Sequence, residues 1–161
     1  MKHLATIMGL ICLAVPSSWA QAPAQADAAQ IKAYMDMMRK DVRKEAQSIV
    51  DAAMDLEAGD KAKFWSVYEK YQKEASGIWD QRIANIKKYA QNFEKLTDPV
   101  ADELANTSLN IESQVTALRK KYYGLMKAAL GPKAAARFLQ VEGSLNQVLL
   151  LQLASQIPLI E

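Results

Sequence analysis

Lys95-Leu96-Thr97-Asp98-Pro99-Val100-Ala101-Asp102-Glu103 is the stretch that decides how this chain folds. It separates two long amphipathic runs. Proline suits the first turn of a helix, where its missing amide hydrogen would have had no partner, and breaks a helix interior. Asp98 is placed to cap the free amides of a helix start, with Asp102 and Glu103 favoured by the helix dipole. One helix therefore ends near Leu96 and another opens at Pro99. With so short a connection, the two runs fold back on each other as an antiparallel hairpin.

Working upstream, Phe64, Tyr68, Tyr71, Ala75 and Ile78, then Ile86, Tyr89, Phe93 and Leu96, recur at three- and four-residue steps on one face. A helix from the break at Leu56–Asp60 to Leu96 is about 55–60 Å long at 1.5 Å per residue. Arg82 stands where the stripe calls for an apolar residue, so a bend or a change of packing partner is expected near Gly77. Before the break, a first helix from about Gln30 to Met54 carries Ile31, Tyr34, Met35, Met38, Val42, Ile49, Ala53 and Met54. Downstream, Val100, Leu104, Ile111, Val115, Leu118, Tyr122, Leu125 and Leu130 line the third helix. Gly131-Pro132 closes it and opens a fourth, which runs to about Gln156 with Phe138, Leu139, Leu145, Val148, Leu149 and Leu153 inward. There is no alternating β-branched run. The expected fold is all-α: an elongated bundle of four helices, two of them very long and forming an antiparallel hairpin, with residues 30–161 as a single domain. Such a body leaves its flanks partly covered, which a homodimer or an exposed apolar groove would resolve.

The first twenty residues read as a cleaved export signal: Lys2, the apolar run Leu4 to Val15, Pro16, and a small-residue exit at Ser18-Trp19-Ala20. The apolar run is about twelve residues, short of the ~20 that span a bilayer, so no integral membrane span is expected in the mature chain. Ile11 is bulky where lipid attachment at Cys12 resembles a small-residue requirement. Gln21 to Ala29 reads as a flexible tether, and the expected location is the periplasm.

The only histidine is His3 and the only cysteine is Cys12. Once the signal is removed, the chain has neither imidazole nor thiol. Covalent haem, axial-histidine haem, Glu-x-x-His di-iron sites and Cys/His zinc sites are excluded on residue type. So are hydrolase triads and thiol redox chemistry. No cofactor and no catalysis are expected. Asp51, Asp55 and Glu57 could weakly hold Ca²⁺ or Mg²⁺, against the plainer reading of a solvated acidic helix end. Without Lys2 there are 19 basic and 18 acidic groups. That near-neutral balance supplies no field for nucleic acid.

What is left is binding. Met35, Met37 and Met38 offer flexible, polarisable apolar surface, and core packing competes as their role. Arg39 and Arg43, with Lys40 and Lys44, form a basic cluster that either touches anionic partners or is a solvent face; Arg119, Lys120 and Lys121 read the same way. Trp65 and Trp79 flank the stripe of the second helix as core edges or contact anchors.

Export, four helices and two helix-opening segments together resemble the Spy/CpxP group of periplasmic helical proteins, known by a repeated Leu-Thr-x-x-Gln at helix starts. The first counterpart is Leu56-Glu57-Ala58-Gly59-Asp60, ahead of Phe64-Trp65. The second is Leu130-Gly131-Pro132-Lys133-Ala134, ahead of Arg137-Phe138. Each keeps the leucine and lacks the threonine and glutamine, while Leu96-Thr97 resembles the motif's opening at a different place. Phe64-Trp65-Ser66-Val67-Tyr68 and Leu151 to Leu159 are similar to functionally obscure exported helical proteins near this group. The resemblance implies a curved dimer of long antiparallel helices with a concave surface. That surface would hold unfolded or partly folded envelope proteins without ATP, or dock on a sensor domain of an envelope-stress kinase.

Overall fold

The computed structural model describes residues 47–155, 157 and 160. The expected signal peptide, the tether and most of the first helix lie outside the described residues. The described end of the first helix, α1, covers residues 47–54. A short break follows, with Asp55 at φ 46, a left-handed conformation that aspartate tolerates better than most residues. Helix α2 spans Ala58–Asn92, 35 residues, or about 50 Å. A 3₁₀ turn, Phe93–Lys95, tightens its end. Helix α3 spans Asp98–Leu130 and α4 spans Pro132–Ala154. Among the described residues there is no strand, and no helix is long and apolar enough to cross a membrane.

The turn at 96–98 forms as expected but not through the expected cap. Thr97 is the N-cap, no side chain caps the helix, and Asp98 is already the first helical residue. Asp98 therefore acts through the dipole alone. At the other end of α3, Gly131 adopts φ 86 and ψ 168, a conformation open essentially to glycine only, so the chain reverses between α3 and Pro132 in one residue.

Side-chain pairs fix the antiparallel register of α2 and α3. Lys121 meets Glu74 at 2.7 Å, the amides of Gln81 and Gln114 exchange bonds at 2.9 and 3.2 Å, and Asn85 Nδ2 donates to the Leu104 carbonyl at 3.1 Å. Lys88 pairs with Glu103 further along. Residue numbers rise on one helix as they fall on the other.

The core lies at the end where all four helices meet. Phe64, Tyr68 and Tyr71 of α2 pack on Leu118, Tyr122 and Met126 of α3, with Ala135 and Phe138 of α4 and Val50 and Met54 of α1 closing the layer. The aromatic rings interlock edge to face: Tyr71 with Tyr122 at 5.3 Å and with Phe138 at 5.2 Å. Four expected core positions are turned out, the small Ala53 of α1 among them. Ile49 is exposed because Val50 and Met54, four apart, take the inner line of α1. Leu125 is exposed because the inner line of α3 steps by four through Leu118, Tyr122 and Met126. Val148 likewise faces outward on α4. Helix α2 continues unbroken through Gly77.

Candidate functional site

Helices α2 and α4 both pack on α3, but their backbones do not come together as neighbours. Between them runs a groove. Tyr71, Ala75, Ile78, Trp79 and Arg82 of α2 form one wall, Glu142 and Asn146 of α4 the other, and Val115, Leu118 and Arg119 of α3 the floor. Its cavity is about 30 Å³, room for one water-sized group. The helical period places these residues there. Positions 71, 75, 78, 79 and 82 share one face of α2, and 138, 142 and 146 follow one another at i, i+4 on α4.

A polar layer closes the groove above the aromatic core. Tyr68 Oη donates to Glu142 Oε1 at 2.6 Å, and the Tyr71 hydroxyl also bonds that carboxyl. Burial raises the Glu142 pKa above the ordinary carboxylate value and outweighs the tyrosine bonds and the nearby Arg119 charge, which pull the other way. Burial, then the Glu142 charge, pushes both tyrosine hydroxyls well above their usual range. Arg119 extends across the floor to donate from Nη2 to the Leu139 carbonyl at 3.3 Å, while its Nε is buried without a partner. Gly143 makes room for it: a Cβ at that position would lie 3.1 Å from Arg119 Nη2.

Arg82 shows why the apolar stripe of α2 is interrupted. Its side chain is only 14% exposed, lies 5.7 Å from the centre of the Trp79 ring, and pairs with Glu112 at 2.7 Å. The stem covers apolar surface while the guanidinium reaches the edge of the hairpin. Outside the groove, Tyr122 donates to Glu74 at 2.8 Å and burial, with that carboxylate beside it, pushes its pKa up to about 12.

Of the residues singled out from sequence, Trp79 lines the groove. Trp65 does not. It is the edge of the core, 5.3 Å from the Phe64 and Tyr68 rings, and bonds Asp51. Fourteen positions along one helix put the two tryptophans about 21 Å apart, so they do not share a patch. Met35, Met37, Met38, Arg39 and Arg43 lie outside the described residues. The Arg119–Lys120–Lys121 cluster splits, with Arg119 in the groove, Lys121 on Glu74 and Lys120 exposed. Asp51 of the acidic helix end is bound to Lys61 at 2.8 Å, which lowers its pKa.

Sequence reading missed Glu142 and Asn146, and placed Arg119 only within a basic cluster rather than in a groove. Glu142 had a signal: it is the one acidic residue on the inward line of α4, between Phe138 and Leu145. Beyond the groove, Val148, Leu149, Leu150 and Leu151 circle α4 with apolar side chains. Val148 is 55% and Leu151 74% exposed, and Leu109 of α3 is 69% exposed. No protein-family model, no curated protein and no solved structure matches this chain.

Proposed function

We propose that this protein is a periplasmic, non-enzymatic helical protein that holds apolar segments of unfolded or stressed envelope proteins without ATP, in the manner of the Spy/CpxP group it resembles. One observation carries the reading: the α2–α4 groove, with Val115 and Leu118 on its floor and Trp79 on its wall, leads toward a leucine-rich α4 end that holds Val148 and Leu151 in solvent. Large exposed apolar patches mark surfaces that meet other molecules. The surrounding charges support weak, general capture. Arg82, Arg119 and Glu142 are engaged with Glu112, the Leu139 carbonyl and two tyrosines, so no free charge in this set demands one specific partner.

The export-type N-terminus supports the location, and the absence of histidine and cysteine beyond residue 12 supports binding over catalysis. Diluting a denatured, aggregation-prone client into the protein and following light scattering tests it. Suppression at several-fold excess is expected, weakened by Leu151→Ser and Val148→Ser. No suppression, with one saturable folded partner recovered from periplasmic extract, would instead make the protein a docking module for that partner.

A further inference from the structure

We propose that the Glu142–Tyr68–Tyr71 cluster is a proton-operated clasp between α2 and α4, closing the groove when Glu142 is protonated and loosening the distal half of α4 when it is ionised. The proposal stands on placement and does not depend on what the groove holds. The backbones of α2 and α4 are not neighbours, so these helices meet through long side chains. The aromatic layer joins them at Phe138, which touches Tyr68 at 6.3 Å and Tyr71 at 5.2 Å between ring centres. One turn further, Glu142 takes the hydroxyls of the same two tyrosines. Beyond that, α4 runs for twelve more residues, 143–154, while the groove opens beside Trp79, Arg82 and Asn146. Glu142 sits where the sealed part of the α2–α4 seam gives way to the open part.

The groups that face the carboxyl define the switch. Tyr68 and Tyr71 approach from α2 and Arg119 from α3, with Arg82 lining the same groove. Arg119 favours an ionised Glu142, but its Nη2 is directed at the Leu139 carbonyl and no ion pair between the two is formed. With the clasp shut, an ionised carboxylate is held out of water, supported by two hydroxyls. Moving α4 outward rehydrates it. A neutral carboxyl has no such incentive to leave. Both hydroxyls stay protonated well past neutral pH, so Glu142 is the group in the cluster that changes charge in the acidic range. Proton loss therefore favours opening, by linkage.

The test follows the full-length wild-type protein by NMR between about pH 4 and about pH 8, a range that brackets a raised glutamate pKa. The Glu142 carboxyl carbon and backbone amide exchange, corrected for its intrinsic pH dependence, are read together. Protection of the amides in 143–153 should fall several-fold through the Glu142 midpoint, while protection in 104–118 of α3 holds. Glu142→Gln should leave α4 protected at every pH. A flat α4 profile through that midpoint, or an equal fall in α3 signifying global loosening, overturns the proposal. The wild-type titration decides the matter even if the variant does not fold. Client capture is measured separately, so either result can fail alone.

Discussion

Replacing Phe138 by leucine isolates what holds α4 to α2. The ring is 1% exposed and makes edge-to-face contacts with Tyr71 at 5.2 Å and Tyr68 at 6.3 Å, at interplanar angles of 87° and 90°. Leucine keeps most of the apolar burial but loses both ring contacts. At ~0.5–1.5 kcal/mol for each aromatic pair beyond its area, the loss is about 1–3 kcal/mol. A domain of this size has roughly 5–15 kcal/mol in all, so the effect is large. Urea unfolding followed by circular dichroism measures it. With a slope of about 1–3 kcal/mol per molar urea, the midpoint should fall by roughly 1 M with the slope unchanged. Val148→Ser is the control: it alters an apolar residue of the same helix that is 55% exposed, and should stay within about 0.5 kcal/mol. If Phe138→Leu is neutral while Val148→Ser is costly, α4 turns its other face to the core and Glu142 does not line the groove.

Glu142→Gln should make the protein more stable at neutral pH. The folded pKa of Glu142 lies above the unfolded value, so its contribution is most favourable below the ordinary carboxylate pKa and is lost as pH rises through the folded one. Thermal melts of the two proteins should coincide near pH 4 and separate above it, and a variant less stable at pH 7.5 would contradict the burial argument (a range set by the ordinary glutamate pKa of about 4.3). Tyr68 and Tyr71 obey the same sign at the other end of the scale: both folded pKa values are raised, so stability declines once phenols ionise in the unfolded chain, above about pH 10. In a spectrophotometric titration those two tyrosines should ionise only as the protein unfolds. Gly131→Ala forces a side chain into a glycine-only conformation and should cost about 1–3 kcal/mol. A Cβ there meets nothing within 4 Å, so a much larger loss would point to a cause other than the backbone. Arg82→Met should be close to neutral in stability, because Glu112 is 53% exposed and rehydrates readily, while Trp79 fluorescence changes as the guanidinium leaves its ring.

The helices, their order and the hairpin were legible from residues because each rests on a local cause. Pro99 and Gly131-Pro132 restrict backbone torsion wherever they stand, and the three- and four-residue recurrence of Phe64, Tyr68, Tyr71, Leu118, Tyr122 and Phe138 marks a face irrespective of its partner. Periodicity tolerates neighbours, however. It could not separate Leu125 from Met126, or Ile49 from Val50, since each pair differs by about 100° around its helix and only the packing partner selects one.

The groove was a different kind of problem. By sequence, Arg119 is one of three adjacent cations that either touch anionic partners or face solvent, and Glu142 enters no motif. What makes them unlike their neighbours is that α3 carries Arg119 beneath the space between two other helices, while α4 sets Glu142 over Tyr68 and Tyr71, some seventy positions earlier in the chain. Torsional preference and apolar recurrence act over a few residues and so are written along the chain. Desolvation of a carboxyl depends on which distant surfaces come to surround it, and only the assembled helices decide that.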